Sequence, residues 1–286
     1  MRLLLVGGTG RSGTSFVYKR ILECTEVCGF PEFESGLFTA DISLVDVFDR
    51  YTRTYSPERF RYISGVFSNF VKGRFNLDNT DVVDDFFRSL YRDRSKRIAL
   101  DVSFQVRVRE LLEGLFKYDR LASRILLEKT PHNVLMFDTI KSMVTGAKLI
   151  HVVRDPRAVA ESVVRQSWGP NDYESAVIWV RSILDAWIRK YKDGSFIRTD
   201  FECFRIEDMI TKYNEIEDVT RRLVGETMDK LSLKASPRAL DGWSKNITDE
   251  QIKFGNEKLK EVMDFFKYDA RCIGSAEQAE AAGFKL

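Results

Sequence analysis

The chain opens on an unbroken apolar run, Arg2–Val6, which predicts a short strand covered on both faces. The run stops at the turn-rich stretch Gly7–Gly13, and Thr14–Cys24 follows with Phe16, Val17, Ile21 and Leu22 at helical spacing. Strand, glycine loop and helix in that order open a nucleotide-binding α/β unit. Further strands are predicted at Arg97–Val102, Arg124–Leu127 and Lys148–Val153, with another candidate within Ser195–Arg205. Helical patterns occupy Val106–Phe116, Asn133–Met143, Arg157–Gln166 and Tyr173–Lys192. The alternation predicts an α/β fold, a single parallel β-sheet wrapped by helices. Two segments break the pattern. Ser35 to about Lys96 is helical in flavour and rich in Phe, Tyr and Arg, a helical insertion (36–96) expected over the top of the sheet. Ile206–Phe266 is largely helical, and the tail 274–286 is expected to be poorly ordered. One domain, 1–273, accounts for the rest.

Composition narrows the classes of partner. At 286 residues the chain can bury a large core without disulfide or metal staples. Lys plus Arg is 45 and Asp plus Glu is 43, a formal charge of +2, so nothing global points to nucleic acid or an anionic membrane. Anion chemistry must come from local placement of cations. Only His132 and His151 are present, which argues against a His-rich metal site. Cys24, Cys28, Cys203 and Cys272 form no CxxC pair; the first two fall at what reads as a helix end, and small apolar fillers in a reducing compartment, the cytoplasm, fit best. No apolar stretch reaches the roughly 18–20 residues of a membrane span. Met1–Val6 is too short for a secretory leader.

The most informative stretch is Gly7-Gly8-Thr9-Gly10-Arg11-Ser12-Gly13-Thr14-Ser15. Glycines let backbone N–H groups converge on one point, the helix start adds its positive dipole end, and the hydroxyls of Ser12, Thr14 and Ser15 are further donors. Gly8 and Gly13 have the spacing of the triphosphate loop GxxxxGK[ST], but Thr14 stands where that loop has Lys, and the cation is Arg11 instead. A second stretch, Lys148 to Ser162, reads as a strand ending at Arg154, a helix started by Asp155-Pro156, and Ser162 two turns along. Arg154 and Ser162 could hold a second anion, since ligands of open α/β sheets sit at that edge. Plainer readings exist: a ligand-free tight turn for the first stretch, a helix cap with a surface ion pair for the second.

Together the two stretches resemble the sulfotransferases that use 3′-phosphoadenosine 5′-phosphosulfate (PAPS), nearest to the bacterial and tyrosylprotein branches, with their P-loop fold. Arg11-Ser-Gly-Thr-Ser15 resembles the 5′-phosphosulfate loop, which implies donor contacts from Gly10, Arg11, Ser12, Gly13, Thr14 and Ser15. Arg154-Asp-Pro-Arg-Ala-Val-Ala-Glu-Ser162 resembles the 3′-phosphate motif, with Arg154 and Ser162 as contacts. The resemblance runs from residue 1 to about Tyr268. It implies a catalytic Glu at Glu32 within Pro31-Glu32-Phe33-Glu34, with Glu34 as neighbour, and a sulfonate-contacting Lys129 within Glu128-Lys-Thr-Pro-His132. His132 is the rival base, separated from Lys-Thr by Pro131. Gly242-Trp-Ser-Lys-Asn246 loosely resembles the segment that closes over the donor, implicating Trp243 and Lys245. Ile206 departs from the usual Tyr before Glu-Asp.

What the resemblance implies is metal-free, in-line transfer of a sulfonyl group from PAPS, leaving PAP, to a hydroxyl of a small molecule, glycan, lipid or peptide tyrosine. The insertion 36–96 would then cap the acceptor side. Its aromatics divide between core and acceptor contact, with most in the core. Two rivals share the pattern: a P-loop kinase using ATP and Mg²⁺, and a non-catalytic nucleotide binder. His151, inside an apolar run, reads as a hydrogen-bonded core residue.

Overall fold

In a computed structural model, the described residues are 2–24, 27–30, 34–40, 42–75, 81–115, 125–196, 198–211, 215–224 and 242–269. The first apolar run forms β1 (Arg2–Gly8), with Leu3–Val6 essentially inaccessible to solvent. β2 (Val27–Gly29), β3 (Ile125–Lys129), β4 (Lys148–Val153) and β5 (Phe201–Arg205) complete one parallel sheet in the order β2-β3-β1-β4-β5. β1 and β3 are parallel with Arg2 opposite Ile125 and Val6 opposite Lys129, and β2 pairs with β3 from Val27 opposite Ile125. This is the α/β sheet expected from the alternating pattern. β2, only three residues long, was too short to show any periodicity, and it takes Cys28 off the helix end: α1 (Thr14–Leu22) stops before it.

By packing, the chain divides into two compact units, Met1–Gly7 with Ile21–Leu149, and Gly8–Arg20 with Ile150–Leu286. The first holds α2 (Leu44–Thr52), α3 (Pro57–Phe75), α4 (Asp81–Ser95), α5 (Leu100–Leu115) and α6 (Phe137–Met143). The aromatics of the insertion are mostly its core. Phe38, Tyr51, Phe60 and Phe67 are fully buried, and Phe48–Phe104 and Phe60–Phe87 meet edge to face at 5.1 and 6.0 Å. Tyr62, at 71%, and Tyr91, at 37%, are exposed.

The strand expected at Arg97–Val102 is instead a helix end followed by a helix start. Arg97 adopts a left-handed φ of 56°, its N–H bonds to Arg94 O and the N–H of Ile98 to Asp93 O, a Schellman closure of α4. α5 then begins at Leu100 and buries Ser103, Phe104, Val108, Leu111 and Leu112, spaced for a helix, while Val102 points to solvent. The apolar alternation of 98–102 belongs to two elements, not one.

The second unit holds α7 (Pro156–Val164), α8 (Tyr173–Lys192), α9 (Ile206–Thr211), α10 (Glu215–Val224), α11 (Asp249–Lys258) and α12 (Lys260–Phe266). α8 is capped by Asp172 and buries Ala176, Val177, Val180, Leu184, Trp187 and Ile188 on one face. The tail 274–286 lies outside the described residues. No helix among those described is long and apolar enough to cross a membrane.

Candidate active site

The second unit builds a tight glycine loop at the end of β1. Gly8 is dictated by space: a Cβ there would lie 2.4 Å from Val152 O and 2.6 Å from Ser12 Oγ. Gly13 has φ 97°, and a Cβ on it would meet Ile206 Cγ1 at 2.9 Å. Ile206, which stands where the resembling enzymes have Tyr, therefore backs the loop from behind as packing. Ser12 is wholly buried, and its Oγ has no hydrogen-bond partner among the described residues. A buried hydroxyl without a partner is costly, on the order of 1–3 kcal/mol, and an anion seated in the loop would supply the missing acceptor. Thr14 is also buried, and Ser15 half-buried, at the first positions of α1.

Arg11 projects from this loop in a left-handed backbone conformation, φ 71°, and its Nε donates to Ser162 Oγ at 3.1 Å. Ser162 sits on α7, and Arg154 directly follows β4 with Nη1 3.4 Å from Arg11 O. The two motifs, 151 residues apart in the chain, thus meet side chain to side chain. Burial pushes the Arg154 guanidinium below its ordinary pKa, opposed by the charges of Glu207 and Asp155. Glu207 accepts from Asp155 N at 2.9 Å and from Tyr268 Oη at 2.8 Å, and its burial raises its own pKa.

The neighbouring Arg157 has a different task. It is 2% exposed, forks onto both oxygens of Asp155 at 3.0 and 2.7 Å, and donates to Asn256 Oδ1 at 2.6 Å. Its guanidinium lies 5.1 Å from the centroid of the buried Trp243 ring. Trp243 therefore packs on Arg157, and Lys245, two residues on, stands exposed. Trp168, which no motif singles out, is 57% exposed, and its Cη2 would lie 2.9 Å from a Cβ on Gly10.

The first unit assembles a second polar centre at the end of β3. Lys129 has a fully buried side chain ion-paired to the half-exposed carboxylate of Glu34. Glu128, 0% exposed, accepts from Ser35 Oγ at 2.7 Å, from Thr130 Oγ1 at 2.6 Å and from Asn133 Nδ2. Thr39 Oγ1 in turn donates to Asn133 Oδ1 at 2.7 Å, and Gly36 N to Thr130 Oγ1 at 3.2 Å. Burial raises the Glu128 pKa, while its three donors pull it back. This carboxylate ties the segment carrying Glu34 to the strand end carrying Lys129. Nothing in its sequence setting pointed to it. His132 is exposed in the turn that follows, and Glu32 lies outside the described residues.

Residues 4–206 match the model of the sulfotransferase family. No curated protein matches the sequence. Among solved structures, the sulfotransferase domain of the Synechococcus PCC 7002 olefin synthase matches with a TM-score of 0.50 at 15% identity, covering 94% of both chains. Sulfotransferase STF9 from Mycobacterium avium matches at 0.49 and 14%, over 94% of this chain and 77% of that one. A sulfotransferase from Alicyclobacillus acidocaldarius matches at 0.47 and 14%, over 94% and 97%.

Proposed function

The chain belongs to the sulfotransferase family, and from that premise we propose that it moves a sulfonyl group from PAPS to a hydroxyl oxygen of a small-molecule, glycan, lipid or peptide acceptor, leaving PAP. The observation that carries the choice of donor is the cradle of Gly8–Ser15, with Arg11 as its cation and a buried, unpartnered Ser12 hydroxyl. Those groups suit a phosphosulfate end, and Arg154 with Ser162 suits a second phosphate. The donor, when bound, supplies a sulfonyl group already activated by its phosphate: the bridging S–O bond breaks as the acceptor oxygen bonds to sulfur.

The chain's own groups supply position and charge, which is the larger part of catalysis in phosphoryl transfer and, by the same physics, here. Arg11 and the N–H groups of the loop neutralise the anion they hold. Lys129 steadies charge arriving on the leaving phosphate, a role that rests on the family resemblance and on a fully buried ammonium. Glu32 takes the acceptor's proton, with Glu34 and His132 as its rivals for that role. The cytoplasm suits the thiols of Cys28 and Cys203.

The test is a comparison of ligands by calorimetry, joined to turnover of labelled PAPS over a panel of acceptors. PAP is expected to bind, ATP with Mg²⁺ to bind far more weakly, and Lys129→Ala to keep PAP affinity within about threefold while turnover falls by about 100-fold or more. Preference for ATP would sink the sulfonyl donor in favour of a kinase. PAP binding without turnover of any acceptor would make the protein a non-catalytic binder. Lys129→Ala with most of its turnover intact would remove Lys129 from the chemistry.

A further inference from the structure

We propose that Trp168, backed by Trp179, is an acceptor platform that stacks on the flat apolar face of a hydroxyl-bearing ring, either an arene or the C–H face of a sugar. The proposal rests on the sulfonyl-transfer reading and adds to it the class of acceptor. Trp168 is 57% exposed, an unusual state for the largest apolar side chain. It is not a loose surface residue. Its six-membered ring rests on the oxyanion loop: a Cβ at Gly10 would lie 2.9 Å from Cη2, 3.6 Å from Cζ3 and 3.7 Å from Cζ2. Gly10 directly precedes Arg11, so the indole borders the cation of the loop.

The ring is held there from two sides. Trp179 on α8 meets it at 6.0 Å between centroids and 55° between planes. The turn that carries it is tied to the end of α7, with Gln166 N to Val163 O at 2.9 Å and Gly169 N to Gln166 O at 3.1 Å. Gly169 has no room for a side chain, since a Cβ would lie 2.4 Å from Val163 O. That is the helix that also carries Ser162.

An acceptor oxygen must come within about 3–3.5 Å of sulfur to react. With sulfur at the Arg11 loop, the body of the acceptor lies beside the loop, where the exposed indole face already stands. An indole offers a broad apolar face at little conformational cost and gains most from offset stacking on another flat face. A flexible aliphatic alcohol gains much less.

The experiment uses the full chain loaded with PAP and three probes: 2-naphthol, methyl β-D-glucopyranoside and 1-hexanol, titrated by saturation-transfer NMR. At least one ring probe is expected to bind the wild type, weaken by about tenfold in Trp168→Ala, and recover to within about threefold in Trp168→Phe. Which ring probe responds separates the arene from the sugar. Hexanol binding and PAP affinity are expected to be the same in all three proteins. The platform is overturned if neither ring probe binds, if both bind Trp168→Ala as they bind wild type, or if PAP affinity falls with the ring probe, which would put the indole on the donor instead. Failure of the wild type to bind PAP would overturn the donor reading alone. The ring probes are then titrated without PAP, and the same Ala and Phe pattern would still uphold the platform.

Discussion

Glu128 is a carboxylate fully shielded from solvent, and among the described residues it accepts from three donors, Ser35, Thr130 and Asn133. Replacing it by Ala strands three buried donors at once and is expected to cost roughly 3 kcal/mol of stability, read from urea denaturation. Gln is worse than its size suggests, because its amide N–H₂ must turn toward donors. In folded Glu128→Gln, turnover is expected to drop by about tenfold or more, since Lys129 and the Glu34 segment share this anchor, while PAP affinity holds. Equal loss of PAP binding and turnover would mean a general collapse. Residues of this kind are hard to read from a sequence. Ser35 is 93 positions from Glu128, and no local spacing links them. Arg11, Ser12, Arg154 and Ser162 were legible for the opposite reason: glycine turns and an Asp-Pro helix start are local grammar, and that grammar fixes where the cations stand.

At the scale of elements, the start of α7 shows local rules at work. Asp155 caps the helix, accepting from Arg157 N at 2.9 Å, and the same carboxylate holds the buried Arg157 fork. Asp155→Ala removes the cap and leaves a buried guanidinium without its main anion, an expected loss of about 3 kcal/mol. Asp155→Asn keeps the cap and should lose about half as much. A chemical denaturation series distinguishes them; equal midpoints for the two variants would show that the cap alone matters. Asp-Pro makes this helix legible from local sequence, whereas only the later turns of α5 show a helical pattern. Its first turn and the end of α4 share one apolar alternation, and the stop signal between them is Arg97 in a left-handed conformation that sequence rules reserve for glycine. The aromatics of the insertion were read correctly in the main, because an amphipathic helix buries its rings before it offers them to a ligand.

Across the molecule, the clearest pH response belongs to His151, fully buried beside Trp187 at 4.4 Å, with Nδ1 3.6 Å from Cys203 Sγ. Burial pushes its pKa down to about 3. The unfolded chain takes up a proton near pH 6.5 that the folded chain refuses, so stability is full above about pH 6.5 and falls by about 1.4 kcal/mol per pH unit toward pH 3. His151→Leu removes this dependence. Between pH 7 and 4.5 it is expected to lose about 2–3 kcal/mol less than wild type, measured as the change in denaturation free energy of each protein. Parallel losses would assign the acid response to other groups. One further consequence belongs to synthesis. The unit that holds the glycine loop takes residues 8–20 from the beginning of the chain and the remainder from beyond residue 149. At about 5–20 residues per second, the 151 residues between Arg11 and Ser162 occupy the ribosome for roughly 8–30 s. Throughout that interval the nascent loop waits without its partner helix, so the Arg11–Ser162 hydrogen bond can form only late in translation.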